Sequence, residues 1–235
     1  MSGASQTTMP ITGLRGRYGI GCFSAEAFAY VDRLKEAGQS CWQLLPDHTA
    51  GEEASLYRTF SAFAGEPYFI DLEELIGEGL LTREECDSMD FEDHEEDVDR
   101  EDQYRSRYVL LTMAYERSDV SQQPEYQRFV EENRWWLEDY ALFMALKHLF
   151  GGRCWQEWPR DIRFRRGAAM EHYRKELYFD IEFQMVLQFW FFRQYRRLKN
   201  YASGKQIRII GKLPAQTAGD SADTWAHPES FAPGW

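Results

Sequence analysis

The sequence predicts an α/β protein in which short parallel strands are joined by helices and a long helical segment is inserted between two of them. Two observations lead to this class. A strand, a helix and a second strand follow one another near the N-terminus, and a helix leads into a third strand-like segment at residues 207–211. Helical crossovers between such strands imply parallel, right-handed pairing. We therefore expect functional side chains on the loops that follow the strands.

The first elements are predicted from helix and turn signals. Residues 10–14 are a candidate strand, and a glycine-rich loop follows at residues 13–21. Ser24 is a typical N-cap residue, and Gly38 is a typical residue at the end of a helix. The apolar residues between them recur at helical spacing and are Ala27, Phe28, Val31 and Leu34. Residues 41–46 then form a short strand that closes at a proline.

An aromatic loop is predicted next, at residues 55–72. Small residues alternate with rings in this loop, which favours a tightly packed corner and leaves open a ligand contact by an exposed tyrosine. The rings are Tyr57, Phe60, Phe63, Tyr68 and Phe69.

A helical pattern follows from residue 72 to about residue 182. Its residues 135–147 form a strongly apolar helix that must be buried on most sides, and Trp155, Trp158 and Pro159 form an irregular aromatic turn. Twelve acidic residues lie between Glu84 and Asp102. This run lacks the central glycine of a calcium-binding EF-hand loop, so a solvated face is the favoured interpretation.

A second long helix is predicted at residues 181–201, followed by a turn at Gly204 and a buried parallel strand at residues 207–211. The chain is thereby divided into three segments. Residues 1–72 hold two strands and the aromatic loop, residues 73–182 are a helical insertion, and residues 183–235 hold a helix, the third strand and its loop.

Composition excludes several classes of partner. A net charge of −12 over 235 residues argues against nucleic acid and against an anionic membrane surface, because both require basic patches. Residues 1–10 have no signal-peptide pattern and no apolar run is long enough to span a bilayer, so a cytoplasmic protein is expected. The cysteines have no metal-ligand spacing and are expected to be reduced structural thiols. They are Cys22, Cys41, Cys86 and Cys154.

Asp220 and Asp223 lie on the loop after the third strand and resemble a catalytic pair only superficially. Their spacing on a loop does not place two carboxylates across one bond, so capping or loop-bracing roles are favoured. The histidines show no paired spacing for a metal or a proton relay, and no metal site is expected. They are His48, His94, His148, His172 and His227.

With these segments in place, the chain resembles the 4-alpha-glucanotransferases, also called amylomaltases, of glycoside hydrolase family 77. Five stretches carry the resemblance in the family's order along nearly the whole chain. They are residues 18–21 (Tyr-Gly-Ile-Gly), 37–46 (Ala-Gly-Gln-Ser-Cys-Trp-Gln-Leu-Leu-Pro), 61–72 (Ser-Ala-Phe-Ala-Gly-Glu-Pro-Tyr-Phe-Ile-Asp-Leu), 139–147 (Asp-Tyr-Ala-Leu-Phe-Met-Ala-Leu-Lys), and 209–211 (Ile-Ile-Gly) with 220–226 (Asp-Ser-Ala-Asp-Thr-Trp-Ala).

The resemblance implies the first three strands of a (β/α)8 TIM barrel with a helical insertion, near residues 10–14, 41–45 and 207–211. It also implies retaining transfer of α-1,4-glucan segments between malto-oligosaccharides, without a cofactor. The family's three catalytic carboxylates come after the point that matches Trp235, so none is assigned here and the chain alone is expected to be inactive. The implied substrate-binding residues are Tyr57, Asp220, Ser221 and Trp225.

Three departures from the family pattern lie at strand ends. Residues 55–59 read Ser-Leu-Tyr-Arg-Thr where the family has Ser-Pro-Tyr-Gln-Ser, so the tyrosine is kept and the proline is lost. Lys212 replaces the family's aspartate after the third strand, which reverses the charge near a site that stabilises a cationic transition state. Residues 11–16 lack the family's His-Pro-Thr-Ser-Leu-Pro loop.

Three hypotheses remain open at this point. The chain is a truncated or split 4-alpha-glucanotransferase whose partner is the missing C-terminal half of the barrel, or it is a non-catalytic remnant that stacks aromatic rings such as Tyr57 and Trp225 on an α-glucan. In the third hypothesis, the helix around Trp135 and Trp136 packs on a partner.

Overall fold

The computed structural model describes residues 6–44, 60–89, 91, 100–211 and 218–231, with the backbone alone at residues 6 and 100–103. Within these ranges the protein is mostly helical and contains one sheet of three parallel strands. The α/β class with parallel strands is therefore confirmed. The elements are β1 Gln6–Thr8, α1 Ala25–Glu36, β2 Cys41–Gln43, α2 Leu72–Gly77, α3 Arg83–Asp87, α4 Arg100–Arg117, α5 Pro124–Leu149, α6 Arg160–Arg163, α7 Gly167–Glu176, α8 Tyr178–Gly204, β3 Arg208–Ile210 and α9 Ala222–Ala226.

The chain folds into two compact units. Unit 1 comprises Met1–Thr49, Glu66–Asp119 and Trp190–Lys212, and unit 2 comprises Ala50–Gly65, Val120–Phe189 and Leu213–Trp235. The sheet belongs to unit 1, and helix α8 begins in unit 2 and ends in unit 1. The three segments predicted along the chain, with boundaries after residues 72 and 182, stay a prediction.

The first strand lies earlier than predicted. Strand β1 covers Gln6–Thr8, and the predicted position at residues 10–14 instead contains a 3-10 turn at Ile11–Gly13. Met9 donates its backbone N–H to the carbonyl of Gln43 at 3.2 Å, which extends the pairing by one residue. Pro10 follows and has no N–H to donate, so the ladder ends there and the chain turns.

Strand β2 is the central strand of the described sheet, in the order β1-β2-β3, and Trp42 on it is buried. The indole Nε1 of Trp42 donates to the carbonyl of Met9 at 2.9 Å, so this large side chain is buried with its polar atom satisfied. Helix α1 has Ser24 at its N-cap position and is followed by Gly38 with φ of +69°, as predicted.

Strand β3 pairs in parallel with β2, as predicted, but the expectation that it is buried is wrong for most of its length. Ile207 before the strand is buried, whereas Ile210 is 41% exposed. Strand β3 is an edge strand of the described sheet, since it pairs there with β2 on one side. The predicted glycine turn also differs. Helix α8 includes Gly204, and the residue with positive φ is Gln206, whose side chain accepts a hydrogen bond from Lys35 Nζ at 2.7 Å.

The described part of the acidic run behaves as a solvated face. The Glu85 carboxylate forms an ion pair with Arg117 at 2.7 Å, and hydrogen bonds from that guanidinium lower the pKa of Glu85 to about 2. Asp87 pairs with Arg17, also at 2.7 Å. Asp90 and the acidic residues at 92–99 lie outside the described residues.

The long helices of unit 2 are confirmed as α5 and the first part of α8, and the aromatic turn after α5 is a 3-10 turn at Trp155–Glu157. The side chain of Gln188 on α8 binds both backbone polar groups of Gly65, its N–H and its carbonyl. Its side-chain Nε2 donates to the Gly65 carbonyl at 2.9 Å, and its Oε1 accepts from the Gly65 N–H at 2.8 Å. Within unit 1, Gln194 makes the same pair of bonds to Asp71.

No helix in the described ranges combines the length and apolar character needed to cross a membrane.

Candidate functional site

The loop after β3 carries three of the four predicted binding residues, Asp220, Ser221 and Trp225, and is described at residues 218–231. Its centre is the short helix α9, which begins with a capping box. Ser221 at the N-cap accepts from the Thr224 N–H at 3.2 Å, and the Thr224 hydroxyl oxygen accepts from the Ser221 N–H at 3.3 Å. Ser221 is completely buried. Its hydroxyl therefore fixes the start of α9.

Asp220 is bound by a largely buried cation. Lys147 Nζ on α5 donates to the Asp220 carboxylate at 2.7 Å, and the Trp155 N–H donates to the other carboxylate oxygen at 3.2 Å. Lys147 also donates to the carbonyls of Gly152 and Arg153, so all three of its protons have acceptors. This network ties the loop after β3 to helix α5 and to the turn that follows it.

Asp223 binds neutral donors instead. One carboxylate oxygen accepts from the Ser61 hydroxyl at 2.9 Å, and the other accepts from the Ala62 N–H at 2.7 Å. Asp223 thereby joins the loop after β3 to the aromatic loop within unit 2. Asp220 and Asp223 bind different partners, which favours the loop-bracing interpretation of these two aspartates, and substrate binding by Asp220 stays a prediction.

Trp225 lies in the core of unit 2 and is 1% exposed. Its Nε1 donates to the Ile162 carbonyl at 3.2 Å, and the Arg165 guanidinium carbon lies 4.4 Å from the centroid of its ring. Phe143 and Trp158 pack against the same indole. The hypothesis that Trp225 stacks on a sugar is corrected accordingly, because its ring offers no exposed face to a ligand.

Tyr57 and Lys212, at which the sequence predicted a sugar contact and a reversed charge, lie outside the described residues.

The apolar helix is confirmed as a mostly buried element of unit 2, but its two tryptophans, Trp135 and Trp136, differ in exposure. Trp136 is 7% exposed, and Trp135 is 63% exposed. The helical spacing did not separate them, since residues that are adjacent in sequence project about 100° apart on a helix.

Cys154 is the cysteine nearest to the loop after β3 for which a contact is described. All four cysteines are free, which confirms the expectation of reduced thiols. Cys154 is near Asp220, and desolvation followed by the Asp220 charge raises the pKa of its thiol. A raised pKa keeps the sulfur protonated at neutral pH and therefore weakly nucleophilic. In the described part of the chain no three histidine, cysteine or acidic residues converge as metal ligands.

The geometry is thus that of a loop braced within unit 2, and comparison with known proteins places the chain in a family. The family model of 4-alpha-glucanotransferases, glycoside hydrolase family 77, matches residues 9–234. The chain belongs to this family. A 4-alpha-glucanotransferase of Clostridium butyricum is 39% identical over 95% of this chain. One from Thermus thermophilus is 40% identical over 94% of it.

A solved structure agrees with this membership. Amylomaltase from Streptococcus agalactiae, determined in complex with acarbose, superposes with a TM-score of 0.88 at 36% identity and covers 97% of this chain. The chain spans about half the length of the curated relatives it matches, namely 46% of the Clostridium protein and 44% of the Thermus protein. The resemblance drawn from the sequence motifs is therefore confirmed, as is its restriction to the N-terminal part of such enzymes.

Proposed function

We propose that this chain forms the first part of a (β/α)8 barrel in a 4-alpha-glucanotransferase that transfers α-1,4-glucan segments between malto-oligosaccharides by retaining double displacement. The observation that carries this proposal is the family match over residues 9–234. The parallel order of β1, β2 and β3 supports it, since consecutive strands of such a barrel are parallel neighbours.

We also propose that these 235 residues do not catalyse transfer by themselves. Retaining transfer needs a nucleophile and an acid/base whose carboxyl groups lie about 5 Å apart across one glycosidic bond. Asp220 forms an ion pair with Lys147, and Asp223 accepts hydrogen bonds from Ser61 and Ala62. These contacts favour structural roles, and the resemblance assigns the catalytic carboxylates to the remaining barrel strands. That remaining part of the barrel is the proposed partner of the chain.

Glucan contact at Tyr57 and Asp220 belongs to the same proposal. In the described loop, 17% of the Asp220 side chain is exposed. Its carboxylate can therefore accept a hydrogen bond from a sugar hydroxyl in addition to the one from Lys147. Ser221 and Trp225 are buried and would act by fixing the loop. The proposal includes no cofactor. It also includes a cytoplasmic location, which the composition favours and which cell fractionation would test.

A reconstitution experiment tests the function. The chain is expressed alone and together with the part of the Clostridium butyricum relative that it does not match, and both samples are incubated with maltotriose. We expect glucose and longer oligomers from the assembled protein and none from the chain alone. Asp223→Asn in the assembly should retain turnover once the protein is folded. Turnover by the chain alone that Asp220→Asn or Asp223→Asn abolishes would place the chemistry on this loop and contradict the proposal.

Glucan binding without catalysis is the second candidate, because two large aromatic side chains of unit 2, Phe63 and Trp135, are exposed. Binding of maltoheptaose by an assembled protein that shows no turnover would favour this candidate.

A further inference from the structure

Unit 2 contains a surface recess whose described lining does not include Asp220, Ser221 or Trp225. It has a volume of about 330 Å³ and is formed by the aromatic loop, by helix α5 and by α9 with the turn after it. Its aromatic side chains include Phe63, which is 46% exposed, and Trp135. Its polar side chains include Asp139, Asp223 and His227. We call this site the aromatic recess.

Two aromatic rings form a corner in the aromatic recess. The centroids of Phe63 and Trp135 are 4.6 Å apart and their planes meet at 72°, so the two rings present faces in nearly perpendicular directions. The backbone that carries the corner is held in place. Trp135 belongs to the long helix α5, and the Phe63 N–H donates to the Ser61 hydroxyl at 3.1 Å. Rings fixed before binding lower the entropy cost of a complex.

The polar side of the recess is arranged for a neutral ligand. Asp139 forms an ion pair with Arg165 at 2.7 Å, and Asp223 accepts from Ser61 and Ala62. The Arg165 guanidinium offsets the charge of Asp139, and neutral donors solvate Asp223. An ionised carboxylate has about four lone-pair sites and so keeps acceptors for hydroxyl groups. His227 adds an exposed imidazole, whose Nδ1 lies 3.5 Å from Oε1 of Glu229.

Other ligand classes fit less well. The carboxylates of the recess and the net charge of −12 repel anions. An organic cation would compete with Arg165 for Asp139, at a pair that already has good geometry. The volume is at the small end of the ~300–1,000 Å³ range of small-molecule sites, which suits a sugar ring better than a folded partner.

We propose that the aromatic recess binds a glucose unit of an α-1,4-glucan, with Phe63 and Trp135 contacting the apolar faces of the sugar and Asp139 and Asp223 accepting hydrogen bonds from its hydroxyl groups. The choice of an α-glucan rests on the proposed function. The recess is separate from the loop network of Asp220 and Lys147, and it provides a holding site for the substrate chain. Neighbouring sugars of an α-1,4 chain turn relative to one another, whereas a β-1,4 chain is flat. Two aromatic rings at nearly a right angle therefore fit an α-1,4 chain better than a β-1,4 chain.

Titration of the full chain with maltoheptaose tests this site, with cellohexaose as the β-1,4 control. We expect Trp135→Ala and Phe63→Ala each to weaken maltoheptaose binding at least fivefold, and cellohexaose to bind more weakly than maltoheptaose. Phe179→Ala is the matched control, because Phe179 is an exposed aromatic residue of unit 2 that does not line the recess. Circular dichroism of each variant checks that the fold is retained.

Two results would overturn the inference. Maltoheptaose binding that neither Trp135→Ala nor Phe63→Ala changes would place the glucan elsewhere, and the absence of any binding would leave the recess without this ligand. Neither result decides the proposed function, since the maltotriose assay of the assembled protein measures that separately. Retained turnover with unchanged binding in Trp135→Ala would reject the recess and keep the transferase assignment.

Discussion

Unit 2 uses its aromatic residues in two contrasting ways. In the buried cluster, Phe143, Trp158 and Trp225 pack with ring centroids 5.3 to 6.0 Å apart, and all three are almost inaccessible. In the aromatic recess, the Phe63 and Trp135 centroids are closer, at 4.6 Å, but both side chains are exposed. Close ring packing alone therefore does not distinguish a core from a binding surface.

The polar surroundings explain the difference. In the buried cluster, the indole N–H groups of Trp158 and Trp225 donate to the backbone carbonyls of Arg153 and Ile162. Indoles with satisfied N–H groups can be buried without penalty. Around the recess, carboxylates and an imidazole lie beside the rings instead. Rings beside acceptors that still have lone-pair capacity are suited to a ligand with both apolar and hydroxyl surfaces.

The largest expected effect of a substitution is in the buried cluster. Trp225→Ala removes a fully buried indole and its hydrogen bond to Ile162, so we expect it to lower the free energy of unfolding by about 3–5 kcal/mol. Urea unfolding followed by circular dichroism measures this loss. A loss below about 1 kcal/mol would show that the indole is not part of a packed core.

A smaller effect is expected at the ion pair that joins α5 to the loop after β3. Lys147→Met leaves the Asp220 carboxylate without its cationic partner, at a cost of about 2–4 kcal/mol because the site is largely buried. The double variant Lys147→Met/Asp220→Asn should recover part of this loss, since it removes the uncompensated charge. Equal losses in the single and double variants, measured by urea unfolding, would contradict a coupled pair.

The next effect tests how firmly the loop beside Phe63 is held. Gln188→Ala removes both hydrogen bonds to Gly65 and is expected to cost about 1–3 kcal/mol. The matched variant Gln194→Ala removes the corresponding bonds to Asp71 in unit 1 and should cost a similar amount. If only Gln194→Ala destabilises the protein, the Gly65 loop is held by other contacts.

The sequence predicted the helices and the family well, because long apolar periodicity and unusual motifs are properties of contiguous residues. Helices α1, α5 and α8 agree with the apolar spacing, and Ser24 and Gly38 are at the predicted ends of α1. The first strand was misplaced because β1, Gln6–Thr8, is three polar residues long and has no hydrophobic pattern. Its position depends on pairing with β2, which is a long-range contact.

The candidate site was less predictable for the same physical reason. Spacing suggested that Asp220 and Asp223 brace a loop, but their partners Lys147 and Ser61 are distant in sequence. Trp225 follows a family motif, and nothing local indicates that Phe143 and Trp158 enclose it. Trp135 belongs to an apolar run, so its exposure was visible only after the helix was placed against its neighbours.

The smallest expected change in stability comes from the recess itself and gives the sharpest comparison, because Trp135 and Trp136 are adjacent on α5. Trp135 is exposed, so Trp135→Ala should change the free energy of unfolding by no more than about 0.5 kcal/mol. Trp136 is buried, and its Nε1 donates to Asn133 at 3.1 Å, so Trp136→Ala should cost about 3 kcal/mol or more. Urea unfolding of the two variants under identical conditions measures both. A large loss for Trp135→Ala would mean that its ring supports the fold, and the aromatic recess would then be a structural contact with Phe63 that has no need of a ligand.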